Sequence, residues 1–511
     1  IFPTMHTRYA SEPLGRFVLE NTGTGIVSDL EVTFSIDGLT AAGRALETPR
    51  SVAAGQRVEV ELRAPVSSSV LEAADGASAS LSIDVSYRRG GERYRKPIVQ
   101  EVRVLNRNAI QWDDDRRIAA FMNVSHEEIL SWSGAVARDL EVNPTPVLTR
   151  NLLYAARLFE SLRSAGVGYV VDPNSAYESL SEDQRAVDYL RFPVETLAFG
   201  AGDCDDLSVL YATLLESVGV DTAFITTPGH ILIAFDTGLD PDRAVRTFET
   251  PESLILHDGR AWMPVETTVP EEGFTRAWQV AALHWRQHAE SGSAGFFTTR
   301  DAWSAYAPVS PPLTAVAPEP ALMTVRRGFR SELDAFRSVE LEPKLARVKP
   351  GEAEAESPES QNRLGVLYAT YGLPDEASAY FRAAANEGHV PAIINLANVL
   401  TIAGDHAQAQ RRLEEARAAE PENARVLLGL AFSYWESGDQ EGARSHYEVA
   451  SRLSPSLARE YPLFAADAAA GPAAGSGAAP AAGPGADPRA GAAADRRAGV
   501  GLQLYQMDWV E

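Results

Sequence analysis

The chain has 511 residues, 45% hydrophobic and 23% charged, which is enough apolar material for roughly three or four ordinary soluble domains. Seventy Asp and Glu outweigh 46 Lys and Arg, and a net charge of −24 repels phosphate backbones and anionic headgroups, so nucleic acid is excluded as a partner. The apolar runs fall far short of the ~20 residues a spanning helix needs, which excludes an integral membrane segment, and a single cysteine excludes an internal disulfide.

Residues 1–106 read as β. Leu30, Val32, Phe34 and Ile36 alternate with polar neighbours, as do Val58, Val60 and Leu62, and Leu81, Ile83, Val85 and Tyr87. Period two with one polar face is the pattern of a half-buried antiparallel strand, and turn residues such as Arg89-Gly90-Gly91 separate the runs. The expected architecture is an N-terminal β-sandwich, and the stretch resembles the immunoglobulin-like adhesion modules of bacterial surface proteins. Ile1 stands where a start Met is expected. That points to a processed chain or a piece of a longer one, and with the adhesion-like start it favours an exported protein, periplasmic or at the cell surface, over a cytoplasmic one.

From about 113 to 165 the pattern is helical. Ser125 and Glu128 fit a capping box, and Leu148, Leu152, Ala155, Leu158 and Leu162 fall at helical spacing in the run Val147 to Leu162. Residues 110–305 form the expected α+β domain that carries the cysteine. After Gly200-Ala-Gly-Asp-Cys204-Asp-Asp206, the residues Leu207, Leu210, Tyr211, Leu214, Leu215 and Val218 recur along one helix face, with Gly219 where a helix stops. Cys204 therefore opens a helix behind a glycine-rich turn. Unpaired amides and the positive end of the helix dipole stabilise a thiolate there and can receive an oxyanion. Asp205 and Asp206 oppose the thiolate by charge and, with Asp203, serve as capping and fold residues that could also touch substrate or a cation.

Two β-rich runs, Asp221 to Thr227 and Ile231 to Asp236, flank Pro228-Gly229-His230, so His230 begins a strand after a tight turn. Ala261 to Thr268 reads as a further strand bearing Trp262, a core or wall aromatic, and Glu266. A cysteine nucleophile needs a base within hydrogen-bond reach, and that base needs an orienting carboxylate. Asn174 and Tyr177 are candidates to line the cleft. His284 and His288 have metal-ligand spacing on a helix, but no Cys or Glu completes a set and HExxH is absent, so neither metal nor cofactor is expected.

Further along, 306–360 is a proline-rich and then acidic linker with a helical segment. In 361–460, Gly404 and Gly438 are 34 apart, as are Pro421 and Pro455, and Ala377, Ala409 and Ala443 each follow a glycine by five residues. This resembles tetratricopeptide repeats, about three units, and implies a protein partner. Residues 466–498 are Ala/Gly/Pro-rich and expected to be disordered, and 499–511 form an apolar tail.

The blocks Pro193-Val-Glu-Thr-Leu197, Gly202-Asp-Cys-Asp-Asp206, Thr227-Pro-Gly-His230 and Trp262-Met-Pro-Val-Glu-Thr-Thr268 together resemble the bacterial transglutaminase-like superfamily over about residues 110–300. The resemblance implies a papain-like fold and a Cys204–His230–acid triad. It also implies acyl transfer on a peptide or isopeptide amide through a thioester, resolved by water (protease or amidase) or by an amine (cross-linker). The family's third member is usually Asp; here the position offers Glu266, with Asp236 and Asp258 as fallbacks. The rival reading is a catalytically silent scaffold for protein–protein interaction, and a further one makes the repeats an assembly platform that delivers the enzyme to a complex.

Overall fold

A computed structural model describes residues 1–41, 43–138, 142–171, 186–348 and 357–459. Asn174 and Tyr177, the segment 466–498 and the tail 499–511 lie outside the described residues. The chain contains both helices and sheets and ends, among the described residues, in a helical region. Packing divides it into two compact units, each assembled from separated stretches: Ile1–Asp139, Tyr154–Thr237 and Glu252–Glu332 in one, and Leu140–Leu153, Gly238–Pro251 and Leu333–Glu511 in the other.

The first unit opens with seven strands, β1 (Gly15–Glu20), β2 (Val27–Ile36), β3 (Arg44–Ala45), β4 (Ser51–Val52), β5 (Arg57–Leu62), β6 (Ala77–Arg89) and β7 (Glu92–Val104). β1 pairs with β5, while β3-β2-β6-β7 form an antiparallel sheet to which β4 adds at β2. The alternation read from the sequence sets the inside: Val32, Phe34 and Ile36 of β2, Leu81, Ile83 and Val85 of β6, and Leu62 of β5 share one core.

Short pairings follow, β8 (Ala109–Ile110) with β10 (Asp188–Tyr189) and β9 (Gly168–Tyr169) with β11 (Ala201–Gly202). The main sheet of this part is antiparallel in the order β14-β15-β13-β12-β16, built from β12 (Thr222–Thr227), β13 (His230–Asp236), β14 (Ile255–His257), β15 (Arg260–Val265) and β16 (Gly295–Thr298). The helices between 127 and 340 are, in chain order, α1 (Glu127–Ala137), α2 (Arg150–Ser164), α3 (Pro193–Phe199), α4 (Cys204–Ser217), α5 (Pro241–Thr247), α6 (Phe274–Glu290), α7 (Thr299–Ala305) and α8 (Leu322–Glu340).

Three local expectations change. α1 is capped by the His126 ring, which accepts from the Glu128 amide at 3.3 Å, and not by Ser125. α2 starts at Arg150, where Thr149 Oγ1 accepts from the Leu152 amide at 3.2 Å, behind a turn in which Thr145 Oγ1 takes the Leu148 amide. α4 is not one-faced: Cys204 to Leu215 are all buried, with β13 on one side and α1 on another. Its polar residues survive burial by internal bonds. Ser208 Oγ donates to Ile231 O at 3.3 Å, Thr213 Oγ1 to Val209 O at 2.7 Å, and Tyr211 Oη to Ala155 O at 2.7 Å.

In the second unit, α9 (Glu342–Val348) precedes three helix pairs: α10 (Pro358–Thr370) with α11 (Pro374–Asn386), α12 (Val390–Ile402) with α13 (His406–Ala419), and α14 (Ala424–Glu436) with α15 (Gln440–Leu453). A last helix, α16 (Pro455–Arg459), follows. Ala377, Ala409 and Ala443 are buried where paired helices meet, and Gly372, Gly404 and Gly438 turn the chain between them at positive φ. The separated stretches join through polar contacts. Thr145 Oγ1 donates to Thr370 O at 2.6 Å, and the fully buried Glu340 accepts from the Glu249 amide at 2.6 Å and from Thr250 Oγ1 at 3.2 Å. Among the described residues no helix is long and apolar enough to cross a membrane.

Candidate active site

The site is assembled from three chain reversals in the first unit. α3 ends at Gly200, whose φ of +76° lets the chain double back through β11 into α4. Gly202 is fixed by space: a Cβ there would stand 2.5 Å from Asp206 Cβ and 3.2 Å from Thr196 Cγ2. Asp203 is the N-cap of α4, accepting from the Asp206 amide at 3.4 Å, and Asp205 Oδ1 accepts from the same amide at 3.0 Å. The cap thus engages the Asp206 amide and not those of Cys204 and Asp205.

Cys204 is the first residue of α4 and is 6% exposed. Burial, then the charges of Asp205 and Asp203, push its thiol well above the usual range, and Glu266 adds to the push. A hydrogen bond with the Ile231 backbone works the other way. The carboxylates respond to the same surroundings. Burial and Asp203 raise Asp205 well above the usual range, and burial with Asp203 raises Asp206 to about 7 against the pull of Arg191. Asp206 is held by the Arg191 amide at 2.7 Å and by the Arg191 guanidinium.

The second reversal is the Thr227-Pro-Gly-His230 hairpin, with Gly229 at φ +72° and His230 as the first residue of β13. The third follows β15. Glu266 lies one residue beyond that strand, its amide tied to Ala277 O at 3.1 Å. Glu266 is 3% exposed and its carboxylate is fully used: Oε2 stands 2.8 Å from His230 Nε2, and Oε1 accepts from Thr268 Oγ1 at 2.7 Å and from the Thr268 amide at 3.1 Å. Burial works to raise the Glu266 pKa, but His230 and the Thr268 donors outweigh it and hold it below the usual carboxylate value. A carboxylate on Nε2 makes that nitrogen the protonated one and leaves the Nδ1 lone pair free to accept a proton.

Asp236 is instead paired with Arg260 at 2.9 Å, and Asp258 sits in the β14–β15 turn with its side chain 86% exposed, so neither fallback acid meets His230. Trp262 belongs to the core beside Ile255, Trp285 and Phe296 and donates to His257 O at 3.3 Å. Among the described residues the sulfur and the His230 ring are not hydrogen-bonded to each other. What joins them is the Ile231 backbone, next to His230, together with the field of Glu266 at the sulfur. Catalytic hydrogen bonds are commonly long in an empty site and tighten around substrate.

Ligand oxygens of Asp203, Asp205 and Asp206 lie within 4.8 Å of one another, close enough to serve a cation, although Asp206 is already engaged by Arg191. His284 and His288 each make one ring hydrogen bond, to Thr227 Oγ1 and Ser293 Oγ, both at 2.9 Å. Sequence reading missed the Thr268 clamp, the Arg191 partner and the His284 contact. The Thr pair directly after Glu266 is a local signal for the first; Arg191 and His284 arrive from 15 and 57 residues away and leave none.

The tetratricopeptide repeat family matches residues 400–456, from the end of α12 to the start of α16, and repeats of this kind serve protein–protein contact. No curated protein matches the chain.

Proposed function

We propose that this chain is a cysteine acyl-transfer enzyme of transglutaminase-like, papain-type build, with an immunoglobulin-like sandwich ahead of it and a repeat region that holds a protein partner. The observation that carries the reading is the 2.8 Å bond from Glu266 to His230 Nε2, beside a cysteine on the first turn of a buried helix. In this reading Nδ1 of His230 takes the Cys204 proton as Sγ bonds the carbonyl carbon of a peptide or isopeptide amide. The oxyanion settles toward the Cys204 and Asp205 amides, which the cap leaves out. His230 then hands its proton to the departing amine, and water or a lysine amine cleaves the thioester. Water gives a protease or amidase, an amine a cross-linker.

One observation favours a second reading, a silent scaffold: the thiol is buried and every neighbouring charge pushes its pKa up. The two separate cleanly, because Cys204 is the only cysteine and alkylation reports on one atom. With burial and the carboxylates set against it, ready labelling at neutral pH has to come through the imidazole. The enzyme reading expects iodoacetamide to label the native chain with a midpoint below the ~8.5 of a free thiol, and expects His230→Ala to abolish that advantage. Glu266→Gln sets an amide N–H against the imidazole N–H, forces the wrong tautomer, and is expected to lower turnover on the order of 10³–10⁴-fold. Labelling no faster than free cysteine and indifferent to His230 leaves the scaffold.

A further inference from the structure

We propose that His284 is a positioning residue for His230, locking the hairpin that presents the base; this rests on the enzyme reading above. His284 lies on α6, and its ring meets that of His230 edge to face, centroids 5.2 Å apart at 71°. Thr227 links the two. Its Oγ1 donates to His230 O at 3.3 Å and therefore accepts from His284 Nε2, 2.9 Å away. Thr227 and His230 are register partners on either side of the Pro228–Gly229 turn, so the His284 bond closes the mouth of the hairpin. His288, one turn along α6, sets its ring against His284 with centroids 4.5 Å apart and planes tilted by 36°.

The titratable groups facing His284 are His230 on β13, Glu266 after β15, and His288 on its own helix. Burial first, then His230 and His288, lower its pKa, and Glu266 opposes them. The balance favours the neutral ring of His284. A charged imidazolium in its place would stand against the ring that has to accept the Cys204 proton, and would make that transfer harder. Loss of the Thr227 bond would free the turn, and misplacement of a base by about 1 Å is worth roughly 10²-fold in rate.

The test is the rate–pH profile of iodoacetamide labelling at Cys204 in the full chain, with folding followed by circular dichroism. His284→Ala is expected to lower the plateau rate by about 10–10²-fold. His284→Gln, which keeps a donor for Thr227 but cannot titrate, is expected to restore the plateau while removing one protonation step from the acid limb. If His284→Ala unfolds, His284→Phe decides, since it fills the space without the donor and is expected to show the same loss. A folded Ala or Phe variant with the rate and profile of the unaltered chain overturns the proposal while His230→Ala still lowers labelling. If His230→Ala changes nothing, the enzyme reading falls and takes this proposal with it.

Discussion

Glu216, in the last turn of α4, ties the helix to the start of β12: its Oε1 accepts from the Thr222 amide at 2.6 Å and from Thr222 Oγ1 at 2.8 Å. Burial raises its pKa to about 7, against those two hydrogen bonds. A raised carboxyl pKa makes the folded chain hold a proton that the unfolded chain releases from about pH 4.5 upward. This group's contribution to stability is therefore full below pH 4.5, falls as pH rises toward 7, and levels off above. Integrated, the loss is of the order of 3 kcal/mol. Glu216→Gln keeps an acceptor for Thr222 and removes the titration. Relative to the unaltered chain it is expected to gain stability between pH 4.5 and 8, read as the difference in urea midpoints at the two ends. Glu266 runs the other way: its pKa is held low, so the His230 pair survives acid until the pH falls below the ordinary carboxylate range.

At the scale of the element, the Gly200–Gly202 turn shows how a local rule becomes a site. Glycine at 200 was readable as a turn residue, and its positive φ agrees. Glycine at 202 has a different cause, since its neighbours Asp206 and Thr196 occupy the place of a side chain. Gly202→Ala is expected to cost about 1–3 kcal/mol by overpacking and to shift the start of α4. Thermal unfolding gives the first quantity, and a slower Cys204 alkylation rate in the folded variant gives the second. A variant as stable and as reactive as the parent would mean the turn is slack. The helix start of Cys204 was readable from the apolar spacing, because period and cap are local; the burial of the helix on every side was not, because the elements that cover its second face come from elsewhere in the chain.

For the whole molecule, the excess of Asp and Glu sets how the chain meets other polymers. With a net charge of −24 it is expected to leave duplex DNA unretarded in a gel at about 50 mM salt, where phosphate contacts are strongest. A retarded band would locate a basic patch that the net charge hides. The sequence by itself determined what depends on near neighbours: strand alternation in 27–36 and 77–89, the 34-residue spacing of the repeats that the family match at 400–456 supports, the helix opened by Cys204, and the strand opened by His230. Only the tertiary structure decided which acid meets the imidazole. The resemblance offered Glu266 first, with Asp236 and Asp258 as fallbacks; in the fold Asp236 forms an ion pair with Arg260 of β15 and Asp258 turns outward, while Glu266 meets the ring. It also decided that 140–153 and 238–251 group with the C-terminal helices. Periodicity records which face of an element is apolar; it carries no record of which distant segment covers that face, because that choice is made by shape and hydrogen bonding between residues tens to hundreds of positions apart.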